Sequence, residues 1–116
     1  PMLMVAFEAD SRTLAVVRQS GAFAVNVYES GQRELAGQLG RASVKRPDKL
    51  EALATQPGPM TSAPLLDAAL AWVECRVTGE LPSGDHVVVV AEVINAGVNR
   101  EGQPLTMAEA GFRYFG

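Results

Sequence analysis

The chain has 116 residues, 47% hydrophobic and 20% charged, and its 13 acidic and 10 basic side chains give a formal charge of −3. That balance fits one globular domain and supplies no basic field for nucleic acid or an anionic membrane. A single cysteine, Cys75, and a single histidine, His86, exclude an internal disulfide and any multi-cysteine or His-rich metal site, and apolar runs such as Val87 to Ala91 are far too short for a bilayer span, so a cytoplasmic, metal-free protein is expected.

Pro1 to Phe7 predicts a short buried strand, apolar on both faces, and the chain starts directly inside that run, which predicts an N-terminally incomplete domain. Asp10 or Ser11 can cap a helix carrying Leu14, Val16 and Val17 and ending at Gly21. Phe23, Val25 and Val27 alternate as in a strand, and Gln32 to Leu39 predicts a second helix. Between Gly40 and Pro64 the pattern weakens around Pro47, Pro57, Pro59 and Pro64, predicting a long excursion with one helical turn. A long hairpin follows: Ala69 to Thr78, a turn over Gly79 to Asp85, then His86 to Val98. On the first strand Val73, Cys75 and Val77 share an apolar face while Trp72, Glu74 and Arg76 share a mixed one, and a register with Arg76 opposite Glu92 avoids facing Glu74 with Glu92. Asn99 to Pro104 reads as a turn and Gly111 to Phe115 as a last short strand. Strands outnumber helices without βα alternation, so the expected fold is a mainly β antiparallel barrel or strongly bent sheet with two or three helices.

Three places could carry chemistry. Asp10-Ser11-Arg12-Thr13 sets free N–H groups, two hydroxyls and a guanidinium at a helix start, a cradle for an anion; the plainer reading is an ordinary cap with Arg12 in water. His86 follows Gly84-Asp85 at the hairpin rim, where an imidazole can orient a cofactor or simply pair with Asp85. Arg41, Lys45, Arg46 and Lys49 form a local basic stretch that either attracts phosphate or is a solvated face. Trp72 and the C-terminal aromatics read as core or interface, and Cys75 as a small buried hydrophobe. No serine elbow, HExxH, P-loop or GxGxxG is present.

The segments SRTLAVVRQSGAFAVNVYESGQRELAGQLG, APLLDAALAWVECRV and GDHVVVVAEVINAGV, in this order and spacing, resemble the flavin reductase-like family of the FMN-binding split-barrel fold. The resemblance implies an antiparallel split β-barrel over residues 1–116, acting as an NAD(P)H-dependent flavin reductase. It implies FMN or FAD as cofactor, NADH or NADPH as hydride donor, a homodimer, and a partner monooxygenase receiving reduced flavin. Ser11 and Thr13, with Arg12 between them, match the family's Ser-x-Thr that holds flavin phosphate. His86 matches the Gly-Asp-His histidine near flavin and nicotinamide, the candidate catalytic residue. Asp48-Lys49-Leu50 resembles the family's Asp-Lys-Phe, with Lys49 the cofactor-binding candidate and no role carried onto Leu50. The resemblance also implies strands ahead of Pro1, and the tail PLTMAEAGFRYFG departs from the usual tyrosine-bearing ending. The alternatives are a non-catalytic flavin-binding or dimerisation barrel and a protein-interaction module built on the hairpin and aromatic tail.

Overall fold

A computed structural model of the chain describes residues 1–40, 50–51 and 53–112. It is mainly β and antiparallel, a curled four-stranded sheet in the order β1-β6-β5-β2 with a small separate hairpin β3-β4. The strands are β1 (Met2–Glu8), β2 (Ala22–Val27), β3 (Thr55–Pro57), β4 (Pro64–Leu66), β5 (Ala71–Ser83) and β6 (His86–Val98); the helices are α1 (Arg12–Ser20), α2 (Arg33–Leu39) and α3 (Met107–Ala110).

The two faces of the sheet have different fates because each strand carries apolar residues on alternate positions. One face packs against α1: Leu14 and Val17 meet Phe23, Cys75, Val87, Val89 and Ala91 in one buried cluster, with Phe7 edge-on to Phe23 at 6.2 Å between ring centroids. Ser11, not Asp10, caps α1, its Oγ accepting from the Leu14 N–H at 3.2 Å, and Gly21 closes it at φ 70° as a left-handed C-cap. Val16 points away from the core and is exposed, so the apolar stripe of this helix is narrower than its sequence predicts.

The opposite face is covered only in part. At its β2–β5 end the β3-β4 hairpin and the 57–64 turn lie over Asn26 and Glu74, with Asn26 accepting from the Leu66 N–H at 2.8 Å and donating to the Pro64 carbonyl at 3.2 Å. At the β1–β6 end Met2, Met4 and Leu81 remain exposed. The expectation that β1 is buried on both faces is therefore corrected: it is an edge strand whose burial alternates, Leu3, Val5 and Phe7 turned inward and Met2, Met4 and Ala6 outward.

The long hairpin keeps its predicted register, Arg76 opposite Glu92, although the two side chains form no ion pair. Its turn is shorter than predicted. β5 continues through Ser83, and only Gly84 and Asp85 make the reversal, Gly84 at φ 62° as a tight hairpin loop demands. Two irregularities explain the difference: Thr78 is an extra residue on β5, its Oγ1 bonding the Val90 carbonyl at 3.2 Å, and Ile94 is an extra residue on β6. Gly79 and Pro82 look like turn formers, yet they sit in a bulged strand. The β3-β4 hairpin was not foreseen either, since three-residue strands flanked by prolines carry almost no periodic signal. Gly111 ends α3 as its left-handed cap instead of starting a strand, and Phe112 then lies under the Arg33 guanidinium, 5.2 Å from its ring centroid, while the rest of the predicted strand to Phe115 lies outside the described residues.

Candidate functional site

The two chemically suggestive segments of the sequence meet at one corner of the molecule. β1 pairs with β6 so that Glu8 lies opposite His86, and the Ala9 N–H continues the ladder by donating to the Asp85 carbonyl at 2.9 Å. The chain turns there, the Ser11 N–H donating to the Glu8 carbonyl at 3.0 Å, and enters α1. Residues 8–13 and 84–86, more than seventy positions apart in sequence, thus share one rim of the sheet.

The start of α1 has the properties of an anion site. Ser11 Oγ is engaged by Leu14, while the N–H groups of Arg12 and Thr13 find no acceptor and no acidic residue occupies the first helical turn. Arg12 and Thr13 are exposed. Across the corner, His86 Nδ1 lies 2.8 Å from Asp85 Oδ1, the Asp85 carboxylate fully in solvent and the imidazole mostly covered. The pairing with His86 holds the Asp85 carboxyl below its usual range, first through the hydrogen bond and then through charge attraction. This pair fixes the imidazole, with Nε2 as its other polar edge. Lys49, the remaining candidate, lies outside the described residues, as do Arg41, Lys45 and Arg46.

Sequence reasoning missed Glu74, which is fully buried on the face opposite α1. Its Oε1 accepts from the Thr61 N–H at 2.9 Å, Thr61 Oγ1 at 2.7 Å and the Met60 N–H at 3.2 Å, and its Oε2 accepts from Asn95 Nδ2 at 2.8 Å. Burial pushes the carboxyl pKa up, but these hydrogen bonds outweigh it and the net shift is downward. Among the described residues no cation takes part, and the donors are neutral. Nothing in the segment Gly58-Pro59-Met60-Thr61 advertises a carboxylate receptor, because three of its bonds come from the backbone or depend on a turn 13 residues away. Cys75, next along the strand on the other face, is buried with its thiol pKa raised by that burial, as expected of an inert hydrophobe.

Among the described residues no cluster of three or more His, Cys, Asp or Glu side chains could hold a metal, and no helix is long and apolar enough to cross a membrane.

A family model for the flavin reductase like domain matches residues 1–116. Among characterised proteins the chain is 32% identical over 102 residues to a flavin reductase (NADH) of Kitasatospora aureofaciens, covering 87% of this chain and 52% of that protein. It is 29% identical over 113 residues to the reductase component of 4-hydroxyphenylacetate 3-monooxygenase of Thermus thermophilus, covering 97% and 68%. Among solved structures it superposes on an NADH:FAD oxidoreductase of Streptomyces globisporus, in complex with NAD and FAD fragments, with a TM-score of 0.79 and 29% identity over 100% of this chain and 68% of that one. A flavoredoxin of Methanosarcina acetivorans, 23% identical, shares the fold with a TM-score of 0.78 over 95% of this chain and 61% of its own. The chain spans about half to three-fifths of the length of the first curated relatives it matches, 52%, 61% and 48%. The curled antiparallel sheet is thus the split-barrel architecture, and this chain belongs to the flavin reductase like domain family.

Proposed function

We propose that the chain, as one flavin reductase-like domain, binds FMN or FAD and passes hydride to it from NADH or NADPH, and that the reduced flavin serves a partner monooxygenase. The observation that carries this reading is the shared corner of the α1 N-terminus and the Asp85–His86 pair, which sets an anion cradle beside an oriented imidazole. The cradle fits a flavin phosphate: two unpaired N–H groups, the Thr13 hydroxyl and the Arg12 guanidinium all lie on the first turn of a nine-residue helix. Names of the relatives support the wider role, since several are reductase components or subunits of flavin-dependent monooxygenases.

In this reading the flavin supplies the hydride-accepting chemistry, and the protein contributes binding, orientation and shielding. Arg12 and Thr13 hold the phosphate. His86, held through Nδ1 by Asp85, would help to position the nicotinamide beside the flavin. The exposed outer face around Met2, Met4 and Leu81 supports a homodimer in which a second copy covers apolar surface beside the corner. Lys49 is assigned to the phosphate by its match to the family motif alone.

Titration with FMN and with FAD, followed by anaerobic addition of NADH or NADPH, tests the proposal. Saturable binding followed by bleaching of the flavin absorbance is expected. Removing the guanidinium and hydroxyl together in Arg12→Ala/Thr13→Ala should weaken flavin binding at least tenfold, and unchanged affinity removes the cradle assignment. Flavin binding without any bleaching would favour the non-catalytic alternative.

A further inference from the structure

Far from the flavin corner, at the other end of the long hairpin, a recess of about 260 Å³ opens between the β3-β4 hairpin and the sheet. It is lined by Gln56, Pro57, Pro59, Leu65, Leu66, Asp67, Trp72 and Asn99. Gly97, which pairs with Trp72, lies eleven residues from His86 along β6, so the two sites sit toward opposite ends of the same strand.

Both walls are fixed by the two closest glycine approaches among the described residues. Trp72 lies directly over Gly97, where a Cβ would overlap the indole. The opposing wall, with Pro57 and Pro59, belongs to the turn locked onto Glu74, and at Gly58 a Cβ would overlap the Glu74 carboxylate. The same turn holds Ser62 at φ 63°, an uncommon conformation for a non-glycine residue, and closes on itself through Gly58 N–H to the Ala63 carbonyl and Ser62 N–H to the Gly58 carbonyl, both 2.8 Å. A buried carboxylate, a positive-φ serine and two obligatory glycines are expensive ways to build a surface loop that has nothing to hold.

The recess chemistry is selective. Buried Leu65 and Leu66 give an apolar floor and the indole gives a flat wall. The exposed side chains of Gln56 and Asp67 and the half-buried Trp72 Nε1–H make no hydrogen bond to a described residue, and Asn99, also exposed, whose Nδ2 is spent on the Ala69 carbonyl at 2.8 Å, retains its Oδ1 as an acceptor. Asp67 is the sole ionisable residue among the described lining residues, so the lining they form carries negative charge and favours a ligand that donates. A volume below the usual ~300–1,000 Å³ of a ligand pocket admits one ring system. We propose that this recess binds a planar nitrogen heterocycle bearing an exocyclic amine, with adenine as the type ligand, its ring against Trp72 and its amine donated to Asp67, Gln56 or Asn99. Glu74 acts here as a positioning residue through the turn.

Trp72 is the sole tryptophan of the chain, so its emission reads the recess directly. Titration with adenosine should give a saturable change in emission with a dissociation constant of about 0.1–1 mM, the range for a fragment of that size. Asp67→Ala should weaken it about tenfold, and Gly97→Ala, by displacing the indole, should abolish it, while both variants keep wild-type affinity for FMN, which carries no adenine. No change up to 10 mM adenosine (roughly ten times the weakest expected constant) overturns the proposal. So does a change that survives both substitutions, or tighter binding of adenosine monophosphate than of adenosine, since a phosphate preference requires a cation that none of the described lining residues supplies. Failure of FMN to bind would sink the flavin reading while leaving this one standing.

Discussion

Replacing Glu74 by glutamine tests the anchor of the 57–64 turn at constant shape. Glutamine keeps one acceptor oxygen but turns an NH2 group toward either the Met60–Thr61 N–H pair or Asn95 Nδ2. Asn95 does not rescue the contact by flipping, because its Oδ1 already accepts from the Ala96 N–H at 3.1 Å. At least one charge-assisted bond, about 1.5–3 kcal/mol, becomes a donor facing a donor, so the loss should be about 2–4 kcal/mol. At about 4 °C per kcal/mol for a domain of this size, the melting temperature at pH 7 should fall by about 8–16 °C. The folded-state pKa of Glu74 is depressed, so its contribution is complete above the unfolded glutamate value, about 4.3, and is lost as pH falls through the lower folded value. Wild type and Glu74→Gln should therefore converge in acid, because glutamine resembles the protonated side chain. Among described residues packed on this carboxylate, β2 brings Ala24 and Asn26, β6 brings Asn95 and the 57–64 turn brings no ionisable group, so no neighbouring titration mimics this convergence. Melts followed by circular dichroism and by Trp72 emission from pH 7 to pH 3 supply the comparison. A difference under 2 °C at pH 7 (about half the shift that 1 kcal/mol produces), or one that stays constant into acid, refutes the anchor.

Three further outcomes follow from the same contacts. Ser11→Ala should cost about 1 kcal/mol by uncapping α1, and Ser11→Gly less, measured by urea denaturation. Arg18 and Glu80 form a bidentate pair at 2.7 and 3.1 Å, but both are well exposed, so Arg18→Ala should leave the urea midpoint nearly unchanged and any difference should shrink in high salt. His86→Ala should lower the rate of NADH-dependent flavin reduction at least tenfold while flavin affinity stays within about twofold, as a positioning role requires; a normal rate reduces the pair with Asp85 to a hairpin contact.

What could be read from the sequence was what local chemistry encodes. Ser11 and Gly21 bracket α1 because a cap hydroxyl and a left-handed glycine act within one turn of the chain, and the Arg76–Glu92 register followed from avoiding like charges across the hairpin. The resemblance then supplied the corner, because Ser-x-Thr and Gly-Asp-His are contiguous motifs even though β1–β6 pairing alone brings them together. The errors have a common cause. Thr78 and Ile94 each insert one residue, and an inserted residue changes which side chains share a face without changing the alternating pattern that a reader sees. Gly79 and Pro82 consequently read as a turn. Glu74 read only as one member of a mixed face, because most of its donors come from a remote turn and leave no compositional trace.

These unread features fall together at one end of the sheet, and their arrangement is a physical argument about function. A surface turn is ordinarily cheap and variable, and a fold that needs only a connection from β3 to β4 has many ways to make one. Here the connection is fixed by a desolvated carboxylate with no counter-cation among the described residues, a closure that depends on its neutral donors staying in place. The candidate corner at the start of α1 is built differently, from a helix cap, an exposed Asp85 and a mostly covered imidazole. The wall of the Trp72 recess is set by the anchored turn before any ligand arrives, and a preformed wall loses little entropy on binding. That division makes the Trp72 emission the more sensitive probe of the two: a ligand at the corner should leave it unchanged, and a ligand in the recess cannot.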